Sequence, residues 1–545
     1  MDNINFLPVK ILEQICSYLD LTDQKSARAV CRHWRRVLSG IQFQRQCLIS
    51  LSSPFAQEVP DSEKQVIRKF RNIKLFHWFE ENDEYEADSN EHPGNNTDTV
   101  FLKYLFEPTP EMNIRQLLFE NEMDVEVLDM RSSFESCREI LGDRLSQMQN
   151  LRELTLTFGQ SLYVQPDQSV WMIVHNRIET LNIDISCSRA YNIALPSLTT
   201  LELLTNCRWS FHIIQTYCRQ LQRLKVQFQD LETMDEMMSL SFPMLTHLHV
   251  RMHKDKNVQL RYAQTQNQSV DNTKEENFVK SMPKLKSIWL ESDLMLFRIG
   301  KALAKYSHHL DELTLMDMQI DAAELHTIET FPKLKTMSLH RVKILTSPQS
   351  LPKVNMPHLI SLTLVDNESD IVFDNGLAGL KSLKVTFSTA RSDKILHKIC
   401  NYLTNLERLE FRLTPMCKNN AFRDLNRLTK LKLLQINGCG DICKINWTQC
   451  PVVPSVRRIV FFNSYCNGTK MLQPIPRVFP GLLDVHLDMC YVTCMEEDGF
   501  MAPDGKGRLD DSREAKRKCM EQWYSTFPKC RISFKHTTLQ WKHCD

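Results

Sequence analysis

The chain has 545 residues, of which 42% are hydrophobic and 24% are charged. This length and composition predict more than one domain or an extended repeat array, and they exclude a disordered chain. Because 67 Lys and Arg nearly balance 66 Asp and Glu, no global electrostatic field recruits nucleic acid or an anionic membrane.

The sequence also favours an intracellular protein, in the cytoplasm, the nucleus or both. No apolar run reaches the roughly 18 to 20 residues of a membrane helix, and the first residues lack the pattern of a signal peptide. Eighteen cysteines are scattered singly, without a CxxC pair. We therefore expect buried free thiols in a reducing compartment.

The segment 6–38 predicts a small unit of short helices. Pro8 suits the first turn of a helix, and the polar residues 20–23 can end it and cap the next one. Apolar residues recur at steps of three and four on both helices: Ile11, Leu12, Ile15, Cys16 and Leu19, then Ala27, Val30, Cys31, Trp34 and Leu38. A unit of about 40 residues rarely folds alone, so this surface predicts either a partner or a cap on the rest of the chain.

The order LPxxIL, then IxxYLD, then VCRxWRRV over residues 6–45 resembles the F-box motif in residue type and spacing. The resemblance implies a docking surface for the Skp-family adaptor of cullin-based SCF ubiquitin ligases, and Lys10 is a departure from the usual motif. Some matching residues would fill the unit's own core and others would meet the adaptor. The matching positions are Leu7, Pro8, Ile11, Leu12, Ile15, Tyr18, Leu19, Val30, Cys31 and Trp34.

Residues 46–110 follow as a predicted linker with degenerate first repeats, such as FRNIKL at 70, and IRQLLF at 114 is a further degenerate copy at the start of the next region. Within this linker, the segment 80–98 is acidic and rich in turn-forming residues, which predicts a disordered loop.

One short pattern, LxxLxL, organises the chain from residue 150 onward. It recurs fourteen times, mostly at intervals of 20 to 27 residues, and begins at 151, 178, 198, 221, 245, 285, 310, 334, 359, 380, 406, 431, 456 and 482. Positions four and six of each copy alternate with position five, which predicts a short strand with two residues directed inward. The remaining length of each repeat leaves room for a returning helix.

This pattern resembles the leucine-rich repeat. The resemblance and the spacing together predict an α/β fold, in which a three-helix F-box precedes a curved solenoid with parallel strands on the concave face and helices on the convex face. We assign the solenoid to 111–490, with an insertion at 253–281 that projects from it. A C-terminal cap at 491–545 contains a charged helix and a final strand, CRISF.

Candidate substrate-binding residues lie at positions three, five and seven of the repeats, which are expected on the concave face. Two strands in succession carry basic residues there, and a tryptophan follows: Arg223, Lys225, His247, His249, Arg251 and Trp289. Such a basic patch would suit an acidic or phosphorylated segment, and the aromatic residue would anchor it. An ordinary solvated face of mixed charge is the alternative.

No motif for catalysis or phosphate binding is present, so the sequence predicts no catalytic residue, no metal and no cofactor. The resemblance implies a substrate-recognition subunit that docks to the Skp-family adaptor, and through it to a cullin scaffold, and holds an unknown protein for ubiquitination. A leucine-rich-repeat scaffold without ligase function stays open, as does a receptor that holds a small ligand at the target site.

Overall fold

This computed structural model describes residues 48–52, 72–76, 127–132, 141–158, 171–185, 191–205, 209–228, 231–252, 273–292, 296–297, 299–345, 354–367, 372–386, 392–413, 422–441, 447–467, 474–495, 509–510, 513–535 and 537–542. The predicted N-terminal helices, the acidic segment 80–98 and the repeat predicted at 114 lie outside these residues. The chain divides into two compact units, Met1–Leu245 and Thr246–Asp545.

Unit 1 is built on parallel strands. Its strands are β1 (Leu48–Ser52), β2 (Asn72–Phe76), β3 (Val127–Ser132), β4 (Glu153–Phe158), β5 (Trp171–Val174), β6 (Thr180–Ile185), β7 (Tyr191–Ala194), β8 (Thr200–Thr205) and β9 (Arg223–Phe228). Its helices are α1 (Trp209–Tyr217) and α2 (Leu231–Met238), with a 3-10 helix at Gly142–Gln147. The main sheet runs in parallel in the order β1-β2-β3-β4-β6-β8-β9, and β5 pairs with β7 in a separate ladder.

Unit 2 continues with seventeen further strands. They are β10 (His247–Met252), β11 (Ser287–Glu291), β12 (Leu296–Phe297), β13 (Glu312–Met316), β14 (Gln319–Asp321), β15 (Thr336–His340), β16 (Lys343–Leu345), β17 (Ser361–Val365), β18 (Ser382–Thr386), β19 (Arg408–Leu413), β20 (Leu433–Asp441), β21 (Arg458–Asn467), β22 (Asp484–Asp488), β23 (Tyr491–Met495), β24 (Leu509–Asp510), β25 (Arg531–Lys535) and β26 (Thr538–Lys542).

The helices of unit 2 separate these strands along the chain. They are α3 (Thr273–Lys280), α4 (Gly300–Tyr306), α5 (Ala322–Ile328), α6 (Ser392–Tyr402), α7 (Pro474–Val478) and α8 (Arg513–Thr526), with 3-10 helices at Asn375–Leu377, Leu425–Arg427 and Trp447–Gln449.

The main sheet of unit 2 is parallel in the order β10-β11-β13-β15-β17-β18-β19-β20-β21-β22-β25. Short second strands form ladders of their own: β12-β14-β16, and the end of β21 with β23 and β26. These second strands contain too few apolar residues to show a periodic pattern. The sequence therefore did not predict them.

The repeat pattern predicts the main strands accurately. Each of the fourteen copies begins a strand at its third residue, and within each unit the fourth residue of a copy lies opposite the fourth residue of its neighbour, as Leu362 lies opposite Leu383. In most copies positions four and six are buried and the odd positions are more exposed, as in the strand Ser361–Val365. The expectation of a leucine-rich-repeat-like α/β solenoid is therefore confirmed within each unit.

Backbone hydrogen bonds join successive repeats in the same way each time. The carbonyl of the second residue in one copy accepts from the N–H groups of the second and third residues in the next, at 2.8 and 3.0 Å for Arg152 and at 2.8 and 2.9 Å for Lys381. One carbonyl thus satisfies two donors at the start of each strand, which fixes the register between neighbours.

Repeat position eight has a distinct backbone conformation in five of the copies. Asp317, Arg341, Asp366, Asn463 and Met489 have φ between 47° and 55°, and each is the eighth residue of its copy. In four of them the N–H donates to a carbonyl of the next strand, as Arg341 does to Val365 at 2.7 Å. The left-handed turn, which costs on the order of 1 kcal/mol or more in a non-glycine residue, therefore extends the ladder by one bond.

Helices complete the core, because the apolar side of each one is also buried. Leu396 and Ile399 of α6 and Trp523 of α8 have no exposed surface. Helix α3 occupies the end of the predicted insertion and buries Phe278 and Val279. That part of 253–281 therefore packs into unit 2 instead of projecting, whereas 253–272 lies outside the described residues.

The charged helix and the strand predicted in the C-terminal cap are both present, as α8 and β25. Seven of the cysteines in the described residues are free thiols, and six of these are buried: Cys218, Cys400, Cys450, Cys466, Cys490 and Cys519, whereas Cys530 is half-buried. Burial raises the pKa of the Cys400 thiol to about 12 and that of Cys450 to about 11. The predicted domain boundaries at 45, 110 and 490 stay predictions.

The buried leucines of the strands predict a large stability difference between neighbouring positions. Leu362 is 1% exposed, whereas the next residue, Thr363, is half-buried on the other face. We expect Leu362→Ala to lower the free energy of unfolding by about 2–5 kcal/mol, since it leaves a cavity. We expect Thr363→Ala to cost less than about 1 kcal/mol. Urea unfolding followed by circular dichroism checks both, and equal shifts of the two midpoints would contradict the strand register.

Candidate functional site

The candidate binding surface is the side of each main sheet that carries repeat positions three, five and seven, here called the open face. All six predicted substrate-binding residues lie on it. Arg223 and Lys225 are on β9 of unit 1, whereas the two histidines and Arg251 are on β10, and Trp289 is on β11 of unit 2. The role of these residues in substrate binding stays a prediction.

In unit 1, the charge of Lys225 is compensated by a neighbouring strand. Its ammonium donates to the carboxylate of Glu202, which lies opposite it on β8. Arg223 is exposed at the start of the same strand. The sequence pattern showed the lysine but not its partner, because Glu202 belongs to the previous repeat.

In unit 2, an aromatic pair lies on the first two strands. The rings of His249 and Trp289 stack with centroids 4.4 Å apart and planes 10° apart, and 38% of Trp289 is exposed. Arg251 pairs with Glu291 on the next strand at 3.1 Å. These strands therefore offer a flat aromatic surface instead of the expected concentration of positive charge.

The middle of the open face in unit 2 is lined by small hydroxyl side chains. Strands β13, β15, β17 and β18 carry them at positions three and five: Thr314, Thr336, Ser338, Ser361, Thr363 and Ser382. Short side chains leave the backbone of these strands open to close approach by a partner.

Ion pairs border this hydroxyl-lined region at the ends of the strands. Arg341 donates to both oxygens of Asp317 at 2.6 and 2.7 Å, and this bond raises the pKa of the Arg341 guanidinium. Arg412 reaches Asp366 at 3.3 Å. The sequence analysis missed Asp317, Arg341 and Asp366, although their common place at repeat position eight was visible.

A second network crosses β18, β19 and β20. The carboxylate of Glu410 accepts from Lys384 at 2.6 Å and from the Asn437 amide at 2.9 Å, and Glu410 is only 5% exposed. Both bonds reach Oε1, and a buried carboxylate needs such hydrogen-bonding partners to be stable.

On the last strands of the open face, two arginines donate hydrogen bonds to one buried carboxylate. Asp484 on β22 is 7% exposed and accepts from Arg458 on β21 at 3.2 Å and from Arg531 on β25 at 2.8 Å. Burial alone would raise the pKa of Asp484, but the hydrogen bonds from both arginines outweigh it and hold that pKa below its ordinary value. The sequence pattern gives no sign that Asp484 and the two arginines meet, because the three residues come from different strands.

Two kinds of feature are absent from the described ranges, a metal-binding group and a membrane-spanning helix. They contain no group of three or more His, Cys, Asp and Glu side chains that could hold a metal ion. None of their helices combines the length and apolar composition that a membrane crossing requires. What the open face can do chemically is to form hydrogen bonds, ion pairs and aromatic contacts with another molecule.

The predicted adaptor-binding residues, from Leu7 to Trp34, lie outside the described residues, and a comparison of sequences bears on them instead. Residues 4–49 match the protein-family model described as F-box-like. The chain carries an F-box-like domain. This confirms the resemblance found in LPVKIL and VCRHWRRV, and the ten adaptor-binding positions fall within the matched range. Their individual roles stay a prediction.

Comparisons of the whole chain with known proteins add little to what the match to the F-box-like family model shows. No curated protein matches the chain. An internalin (inlF) from Listeria monocytogenes is similar at 12% identity and a TM-score of 0.27, over 62% of this chain and 80% of that one. A TLR13–ssRNA13 complex is similar at 14% identity and a TM-score of 0.34, over 75% of this chain and 62% of that one. At these scores neither similarity bears on function.

The Asp484 cluster predicts a stability that depends on pH. A carboxyl whose folded pKa lies below its ordinary value of 3.8 stabilises the fold above that value, and the contribution is lost as the pH falls through the folded pKa. We expect Asp484→Asn to lower the free energy of unfolding by about 1–3 kcal/mol at neutral pH. The difference from wild type should shrink below a pH of about 4.

Urea midpoints measured at several pH values check this expectation. The matched control is Glu312→Gln, which removes an exposed carboxylate from the same face. A constant difference between wild type and Asp484→Asn at every pH would show that the arginines do not stabilise the ionised carboxylate.

Proposed function

We propose that this chain is the substrate-recognition subunit of an SCF-type ubiquitin ligase, located in the cytoplasm, the nucleus or both. The observation that carries the proposal is the F-box-like domain at 4–49 in the same chain as two repeat units with large open faces. Domains of the F-box family bind Skp-type adaptors, which link them to a cullin scaffold. The open faces supply the surface for a target protein.

In this role the chain itself makes and breaks no bond. It holds a target close to a ubiquitin-conjugating enzyme and so raises the effective concentration of target lysines near that enzyme. Repeat strands suit this task because their exposed positions are free to vary while positions four and six maintain the core.

The adaptor interface can be tested directly with the full chain and a recombinant Skp-family adaptor. We expect the wild-type chain to bind the adaptor at micromolar concentration or tighter, since obligate subunits bury an apolar surface. Leu7→Ala combined with Pro8→Ala should weaken binding by about tenfold or more, because both side chains belong to the matched motif. Isothermal titration calorimetry gives both constants.

A matched control replaces two exposed apolar residues outside the F-box-like domain, Val452→Ala combined with Leu483→Ala, which are 52% and 54% exposed in the wild type. Adaptor binding should not change in this variant. A folded wild-type chain that fails to bind the adaptor would contradict the ligase role, and a repeat scaffold without ligase function would then explain the open faces.

A further inference from the structure

Three arginines form a row across the strands of unit 2, on the open face, at positions that lie opposite one another in the strand register. Arg408 and Arg458 occupy repeat position three on β19 and β21, and Arg531 on β25 lies opposite position three of the last copy. The strand register connects them without a gap: Arg408 lies opposite Leu433, Leu433 opposite Arg458, Arg458 opposite Asp484, and Asp484 opposite Arg531. We call Arg408, Arg458 and Arg531 the arginine row.

The arginine row has more positive charge than its acidic neighbours compensate. Arg458 and Arg531 share the single carboxylate of Asp484, and no carboxylate within the described ranges pairs with Arg408. On these five strands, positions two and three together hold five cations and two acids. The cations are Arg408, Lys432, Arg457, Arg458 and Arg531, and the acids are Glu407 and Asp484.

The side chains of the arginine row are accessible and partly held in place. Arg531 has 84% and Arg458 45% of its side chain exposed, although both are bonded to Asp484. Half-buried His486 lies one strand position away, and burial, then the charge of Arg458, lowers its pKa. Its imidazole therefore adds no charge at neutral pH, and the guanidinium groups alone define the chemistry of the surface.

The spacing of the arginine row fits an extended peptide. Neighbouring strands lie about 4.8 Å apart, so arginines on alternate strands are about 10 Å apart along the sheet. A polyproline II chain rises about 3.1 Å per residue with three residues per turn, so side chains on one side recur every ~9.3 Å. A carboxylate at every third residue of such a chain would meet one arginine after another.

We propose that the arginine row binds an extended acidic segment of a partner protein, with a carboxylate at every third residue. Guanidinium groups bind carboxylates through paired, charge-assisted hydrogen bonds, and Leu433 offers an apolar contact between two of them. Arg458 and Arg531 already hold one carboxylate, that of Asp484, so their guanidinium groups are positioned for glutamate or aspartate as the ligand.

This inference rests on the proposed function, because it names the kind of target that the receptor would hold. It also moves the expected contact from the strands of Lys225 and Arg251, whose charges are paired with Glu202 and Glu291, to the strands at the other end of the repeats. The chain as a whole has a net charge of only +1, so the attraction has to come from a local surface such as this row.

The test uses the full chain and a fluorescein-labelled peptide of Glu-Pro-Ala repeats, with a Gln-Pro-Ala peptide as its neutral counterpart. Fluorescence anisotropy should show binding of the glutamate peptide that weakens with added salt, and no binding of the glutamine peptide. Arg408→Gln combined with Arg531→Gln should weaken binding by about tenfold or more, while Asp484 keeps Arg458 as its partner.

The control is Lys398→Gln combined with Lys516→Gln, which removes the same charge from exposed residues of the helices α6 and α8. It should bind the glutamate peptide as wild type does. Equal weakening in both double variants, or no binding of the glutamate peptide at about 100 μM, would overturn the proposal. So would binding of a phosphoserine peptide or a labelled RNA through the same arginines without binding of the glutamate peptide.

Adaptor binding by the same preparations separates this inference from the proposed function. A chain that binds the adaptor but not the glutamate peptide refutes the arginine row alone. A chain that binds the peptide but not the adaptor refutes the ligase role and leaves the arginine row in place. Circular dichroism and urea midpoints confirm that each variant is folded.

Discussion

The parallel register between successive repeats is the constraint on which the rest of the molecule depends. No strand of five or six residues can bury its own apolar side chains, so each one relies on the strands beside it. Residue four of one copy lies opposite residue four of the next, and a slip by one residue would move every leucine to the open face. The shared carbonyl at repeat position two and the left-handed residue at position eight both maintain this register.

The same register decides which charges on the open face stay available. Side chains at equal positions on neighbouring strands lie close enough to pair, as Lys225 and Glu202 do. A basic residue therefore keeps positive charge available for a partner only where the bases at its register position outnumber the acids on the adjacent strands. The arginine row meets this condition, because Leu433 separates two of its members and one aspartate serves the other two.

Much of the fold could be predicted because the repeat pattern consists of residues that are close together in the sequence. The pattern LxxLxL located fourteen strands to the residue, and the charged stretch 513–526 indicated a helix. The strands at 48–52 and 127–132 were missed, since their copies are degenerate, and the short second strands contain too few residues to show a period. The helix at 273–280 was assigned to an insertion because its two apolar residues, Phe278 and Val279, are flanked by a long polar segment.

Less of the candidate site could be predicted, because a site on a repeat surface is made between repeats. Sequence position identified the residues on the open face correctly, but the partners of Arg251 and Lys225 come from 40 and 23 residues away. The cluster of Asp484 with Arg458 and Arg531 spans three strands. Its acid and its two bases look like ordinary surface charges until the strand order brings them together.

The central claim is a division of labour, in which the F-box-like domain binds an adaptor and the repeat units bind something else. Hydrogen–deuterium exchange of the full chain, with and without a recombinant Skp-family adaptor, tests it most directly. The account predicts that added adaptor slows exchange in peptides from residues 4–49 and leaves the strands of both repeat units unchanged. Slower exchange in those strands, with no change at 4–49, would contradict it.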